Sequence, residues 1–452
     1  MASLSPRAPS EPLPAATLWL AAASALVLAL LVAPRVFHDY DVVDCFLTWA
    51  RASRGRQPWA IYLTHFATDD CDYPPVVPYL LTLVERARLA LGAGETSGAA
   101  IVLLKLPNIA AWLAHVPLCA FGLRRPLGVR AARVAALLVA LSPPLFVNAA
   151  AWGQFDALLS LFVVAALVAL LRGQAGRAGA ALGLALATKL LAVVAVPVMA
   201  LWAWRRRGAR PILAGAAAAL VVMALAAMPY VARGAARPVL SSYHGAVGYY
   251  PLRTVEAYNL WYVLDRVDIR LRGQPSGEAR LDTRPFVGPL THRDVGLLLV
   301  AAWTVFILSG LWRWPGDGGL VLAAAFQFFA VFMLPTQMHQ RYILPAAVLL
   351  ALVAPLSPRA RTLFAVLAVT ATLNQGLDLG RAVLDHAVQV DPSRIGDPPA
   401  IRMAIRNAAT VVALIHVGLL AWWTAIYRRE LAALAALTPA AAGSAAAPTR
   451  PE

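Results

Sequence analysis

The chain has 452 residues, 39 basic and 23 acidic, for a formal charge of +16; 60% are hydrophobic, 14% charged, and the mean hydropathy is +0.67. Soluble domains carry about 45–50% apolar and about 25% charged residues. Here the apolar excess falls in long uncharged blocks such as Ala15–Pro34, Val134–Ala151 and Leu158–Leu171, which excludes a soluble enzyme, a disordered chain, a single-anchor protein and, with no short repeat, a fibre. An all-α polytopic membrane protein is expected. The arginine clusters lie between apolar blocks, where the positive-inside rule puts them, so the charge points to membrane topology and not to nucleic acid.

Residues 1–14 read as a polar, Pro-rich cytoplasmic tail. The apolar run after them is too long for a signal-peptide core and lacks an A-x-A cleavage site, so 15–34 is read as a retained first span. A polar outer loop, 35–100, follows. Within it, 74–92 starts apolar and then carries Glu85, Arg86 and Arg88, the pattern of an amphipathic helix in the interface. A span needs about 20 apolar residues, and the next ones are 101–122, 131–150 and 155–171.

Region 177–204 has Arg172 and Arg177 before it and Arg205, Arg206, Arg207 and Arg210 after it. Both flanks then belong on the cytoplasmic side, which one helix cannot satisfy. A hairpin of two short helices with its tip at Thr188-Lys189 can. Further spans are expected at 211–232, 294–312, 318–335, 342–357, 360–376 and 409–427, giving about 11–13 membrane helices. The remaining outer loops are 233–293 and 377–408, and 431–452 reads as a disordered cytoplasmic tail. The organisation expected is a catalytic region at 15–376, then an outer loop and last span at 377–430.

Under this topology the chemically capable residues converge on the outer face. The first loop carries Asp39, Asp41 and Asp44 within six residues. Such carboxylates can act as a general base or leave room for a divalent cation; no metal site is assigned, and Cys and His have no zinc-type spacing. Asp72-Tyr73-Pro74-Pro75 ends the loop, its prolines starting the next helix. A short turn presents Trp152, Gln154 and Asp156, the last at the start of a span, where an ionisable group is a functional candidate. Lys105 and Lys189 are the only lysines. Lys189 at the hairpin tip suits a lipid phosphate, whereas Lys105 reads as an interface anchor. The aromatic segment Tyr249–Trp261 includes Asn259 and Trp261, a composition suited to sugars or to an interfacial helix. His339 and Arg341 pair at another outer turn and suit a phosphate. Cys45 and Cys71 share the first loop, so a disulfide between them is expected, with two unpaired thiols as the alternative.

The order of these motifs resembles the integral-membrane GT-C glycosyltransferases over residues 16–376. It is most similar to bacterial proteins related to the GPI-anchor mannosyltransferases, and next to the dolichyl-phosphate-glucose glucosyltransferases of N-glycan assembly. The resemblance implies a GT-C bundle with amphipathic helices in the first outer loop. It also implies inverting transfer of a hexose, mannose before glucose, from a polyprenyl-phosphate donor to a lipid-linked or glycan acceptor. By resemblance Asp41 is the base, with Asp39 and Asp44 as rivals. Lys189, His339 and Arg341 hold the donor phosphate. Trp152, Gln154 and Asp156 line the sugar or acceptor site, with Asp72, Tyr73, Asn259 and Trp261 in support. The location implied is a bacterial inner membrane with the site facing the periplasm, or an ER membrane with a lumenal site. A transporter or lipid flippase is the alternative class. It predicts midplane sites and an inverted repeat, and no repeat is evident. A third reading is a membrane assembly protein without catalysis.

Overall fold

The computed structural model describes residues 13–55, 57–67, 69–245, 248–273, 280–390 and 397–437. The two tails, apart from 13–14 and 431–437, lie outside these residues. Among the described residues six helices are long and apolar enough to cross a bilayer. A bent pair, Val129–Ala140 with Pro143–Trp152, passes the same test together, and three shorter apolar helices lie among them.

In chain order the main helices are α1 (Ala15–Val32), α2 (Val76–Ala90), α3 (Gly98–Gly122), α4 (Val129–Ala140), α5 (Asp156–Leu171), α6 (Ala175–Thr188) and α7 (Val196–Arg207). There follow α8 (Arg210–Val231), α9 (Leu260–Arg272), α10 (His292–Arg313), α11 (Asp317–Met333), α12 (Leu344–Val353), α13 (Pro358–Val390) and α14 (Pro398–Leu437). A two-stranded antiparallel hairpin, β1 (Pro285–Val287) with β2 (Leu290–Thr291), precedes α10. Two apolar helices show what the surroundings must be. Along α11, every residue from Gly318 to Ala330 is buried, whereas α8 buries only Ala219 and Tyr230. A long apolar helix with one side left uncovered is an aggregation liability in water and an ordinary lipid-facing element in a bilayer.

The region 177–204 folds back as its charges require. Helix α6 rises to Lys189, whose extended backbone (φ −162°, ψ 135°) ends it. A 3₁₀ turn, Leu190–Ala195, leads into α7. Arg207 at the end of α7 donates to Leu171 O (3.4 Å), just before α6 begins. Helix α8 then runs parallel to α6, with Gly179 against Gly215 and Gly183 against Ala219. A Cβ on Gly179 would sit 1.9 Å from Gly215 O, and one on Gly183 2.6 Å from Ala219 O. Only a return leg allows two parallel helices in succession.

Three boundaries differ from expectation. The segment expected as an outer loop at 377–408 is largely helix. At 33 and 40 residues, α13 and α14 extend about 50 and 60 Å, well past a hydrocarbon core of about 30 Å. The domain boundary placed at 376 therefore falls inside one continuous helix, and part of the expected C-terminal tail, 431–437, is the end of α14. At the first loop, the predicted amphipathic helix is α2, where Glu85 and Arg88 are buried as a bidentate pair joined by Arg54.

Candidate active site

Asp41 sits on a π-helical turn, Tyr40–Leu47, a geometry common at functional sites. A second π-helical turn, Val147–Trp152, ends at Gly153, which adopts φ +98°. A Cβ on Gly153 would meet Lys105 Cε at 3.0 Å and Val42 Cγ2 at 3.1 Å. Glycine is required there by both backbone and space. The tight reversal aims Trp152 and Gln154 at one oxygen: Trp152 Nε1 donates to Asp41 Oδ2 (2.7 Å), and so does Gln154 Nε2 (2.5 Å). Gln154 Oε1 in turn accepts from the Tyr73 hydroxyl (2.9 Å).

A second pairing lies beside the first. Lys189 Nζ donates to Asp156 Oδ1 (2.7 Å) and stands 4.7 Å from the Tyr342 ring centre and 5.6 Å from that of Tyr73. Arg341 lies between the two carboxylates, 4.0 Å from Asp41 Oδ2 and 3.8 Å from Asp156 Oδ2. Its buried Nε makes no hydrogen bond among the described residues.

These groups border a cavity of about 260 Å³. Asp41, Asp72, Tyr73, Gln154, Lys189, His339 and Arg341 line its polar side; Leu190, Leu191, Val193, Val194 and Val331 form an apolar wall. Over the polar side, Asp69 accepts from the Tyr40 hydroxyl and from the Tyr249 hydroxyl (2.6 Å), and its carbonyl accepts from Trp49 Nε1 (2.8 Å).

The electrostatics favour an ionised Asp41. Burial would raise its pKa, but the Arg341 guanidinium, His38 and the bonds from Trp152 and Gln154 together hold it below the usual carboxylate range. His38 Nδ1 lies 3.7 Å from Asp41 Oδ2 yet accepts the Asp41 backbone N–H (3.3 Å). Burial lowers the His38 pKa, so near pH 7 this neighbour is a neutral ring, stacked on Trp152 at 4.9 Å. Burial also drives the His339 pKa well down, with Arg341 and Lys189 adding to it. His339 therefore offers a phosphate one neutral N–H and no charge. Asp72 is exposed within the open cavity, and partial desolvation raises its pKa. Among the described residues no three metal-ligating side chains cluster. The carboxylates at the cavity face Lys189 and Arg341, so the donor set fits internal cations better than a divalent ion.

Aligned on its fold, the chain superimposes on ArnT from Cupriavidus metallidurans bound to undecaprenyl phosphate with a TM-score of 0.50. The two are 17% identical, over 93% of this chain and 78% of that one. The fold is that of the GT-C glycosyltransferases. The apo state of the same ArnT gives a TM-score of 0.50 at 18% identity, over 92% of this chain and 78% of that one. An apo oligosaccharyltransferase from Archaeoglobus fulgidus gives 0.41 at 14%, over 91% and 56%. Residues 73–261 match glycosyltransferase family 87, a stretch holding Tyr73, the Trp152–Asp156 turn and Lys189. No curated protein matches the sequence.

Within this GT-C bundle the expected site residues separate into groups. Asp41 lines the cavity. Asp39 does not; its Oδ2 lies 3.4 Å from His386 Nδ1 on α13. Asp44 does not line the cavity either. Trp152 and Asp156 do not line it but bond residues that do, Asp41 and Lys189. Asn259 and Trp261 lie away from it. Asn259 caps α9 by accepting from Trp261 N (3.1 Å) and Tyr262 N (3.2 Å), and donates to Phe332 O (3.1 Å); Trp261 Nε1 donates to Leu334 O (2.7 Å). Both fasten the end of α11. The expected Cys45–Cys71 disulfide is not formed. Both are free, buried thiols packed with Phe46, Trp49 and Tyr73, and burial pushes the Cys45 thiol up to about 12.

Several contributors were given no site role in the sequence. Tyr342 and Tyr250 line the cavity, and the Asn374-Gln375 pair on α13 is buried behind it. Gln375 Oε1 accepts from Asn148 (3.0 Å), which reaches Asp156. Asn374 and Asp378 bind Gln340, the residue between His339 and Arg341. Two amides inside an otherwise apolar span were a legible signal. Lys105, read as an interface anchor, is fully buried at the bundle end near Asp41.

Proposed function

We propose that this GT-C glycosyltransferase moves a hexose, mannose in preference to glucose, from a polyprenyl-phosphate donor to a hydroxyl on a lipid-linked or glycan acceptor, on the outer membrane face. The observation that carries the reading is one cavity joining an ionised carboxylate, a pair of cations and an apolar wall. The undecaprenyl phosphate of the ArnT structure supports the same class of donor.

The acceptor oxygen attacks the anomeric carbon as the bond from that carbon to the phosphate oxygen breaks, a single displacement that inverts configuration. Asp41 takes the acceptor proton. Trp152 and Gln154 both bond Oδ2, which leaves Oδ1 for that proton. The leaving phosphate carries its negative charge toward Arg341 and Lys189, as preorganised electrostatic stabilisation requires. The prenyl chain follows the wall formed by Leu190–Val194 and Val331 into the bilayer. Asp72 and the tyrosines accept and donate to sugar hydroxyls.

The test is transfer by purified protein in vesicles, using polyprenyl-phosphate mannose or glucose and a total membrane-lipid acceptor. Transfer that Asp41→Asn removes supports the proposal; absence of transfer from both donors contradicts it.

A further inference from the structure

Lys105 makes four charge-assisted contacts through a single ammonium. It is 0% exposed, and its Nζ lies 2.9 Å from Ala33 O, 2.6 Å from Val36 O, 2.8 Å from Ala150 O and 2.9 Å from Ala151 O. An ammonium has three protons, so four acceptors at these distances share them. Among the described residues no carboxylate pairs with it, and backbone oxygens receive the charge. Burying a lysine this way is costly, and the four carbonyls belong to two places that matter. Ala33 and Val36 end the α1 segment that leads to His38 and Asp41. Ala150 and Ala151 immediately precede Trp152. The lysine stem also lies under Gly153, as the 3.0 Å approach of Cε to a Cβ there indicates.

We propose that Lys105 is a positioning residue for Asp41: its ammonium ties the α1 exit to the Val147–Trp152 turn and so fixes the distance between Asp41 and its donors Trp152 and Gln154. The inference rests on the reading of Asp41 as the base. Its physical content is narrower, because it concerns two hydrogen bonds to Oδ2. Asp41 is also faced by His38 and Cys45 from its own segment, Tyr73 from the start of α2, Tyr250 from the outer loop and Arg341 from the turn before α12. Lys105 does not touch Asp41, so removing it should act through the spacing between the α1 exit and the Val147–Trp152 turn. The acceptor-proton transfer weakens while the donor-phosphate cations stay in place.

The experiment reads the Trp152 indole directly. Full-length protein in nanodiscs is labelled with ¹⁵N-indole tryptophan, and the Trp152 resonance is assigned by its loss in Trp152→Phe. Its pH titration reports Asp41, and Asp41→Asn should abolish it. In Lys105→Met the midpoint is expected to rise by about one pH unit or more, since hydrogen bonds to the charged form hold a carboxyl pKa down. Lys105→Gln, which can still donate to some of the carbonyls, should fall between. If Lys105→Met does not fold, Lys105→Gln decides. A folded variant with the wild-type midpoint overturns the proposal. The readout needs no turnover, so a failed transfer assay and a failed positioning role are separate results. Where transfer is observed, the variants should lower kcat and leave the donor KM nearly unchanged; a rise in KM alone also overturns it.

Discussion

Asp41 is one of three acids within six positions, and its surroundings separate it from Asp39 and Asp44. Two donors, a guanidinium and a cavity wall converge on it. Removing a positioned general base typically costs about 10²–10⁴ in rate, so Asp41→Asn should lose turnover by that factor while the protein remains folded and donor binding persists. The pH dependence follows in sign. As the proposed base Asp41 would act when ionised, and its pKa lies below the ordinary carboxylate value of about 3.9. The acid limb of kcat/KM should therefore appear only as pH falls below about 4. The stability contributed by its bonds should likewise be intact above that range and lost through the depressed pKa. Trp152→Phe removes one of those bonds and should move the limb upward, measured as the pH profile of initial rates. Arg341→Gln should weaken retention of polyprenyl phosphate, measured by product inhibition, because it removes a cation from the cavity lining.

At the scale of elements, the parallel pair α6 and α8 is the most sensitive joint. Gly179 and Gly183 meet backbone, which cannot give way as a flexible side chain would. Gly179→Leu and Gly183→Leu should each destabilise the bundle by about 1–3 kcal/mol or more, read as a lowered unfolding temperature in detergent. Gly176→Leu, with open space at its Cβ, should cost little. The hairpin itself was legible, because basic residues at both ends of one apolar region leave a single solution. The lengths of α13 and α14 were not: hydropathy falls where Asp378 and Arg381 begin, but those residues pair with each other (2.6 Å) and the helix continues. The roles of Asn259 and Trp261 were also hidden. A cap and a buried indole have the same composition as a sugar platform, and only the contact with the end of α11 distinguishes them. Lys105 was conspicuous as a residue, yet its four acceptors come from carbonyls about 45 to 72 positions away, which no local pattern encodes.

For the whole molecule, the proposed outer-face location of the site rests on the positive-inside reading of the arginine clusters between the apolar blocks. A cysteine introduced by Arg125→Cys should react with a membrane-impermeant thiol reagent only after cells are opened, whereas Asp70→Cys should react in intact cells or spheroplasts; the reverse pattern would invert the topology. Motif order made the GT-C fold readable because a bundle fixes which loops meet. The sugar and acceptor were not readable, since they depend on how Asp72, Tyr250 and their neighbours shape the cavity. The most direct measurement is transfer of radiolabelled mannose or glucose from polyprenyl phosphate by the purified chain and by Asp41→Asn in matched vesicles. Transfer by the wild type that falls at least about 100-fold in the variant is the predicted result; equal transfer by both, or none from either donor, would contradict it.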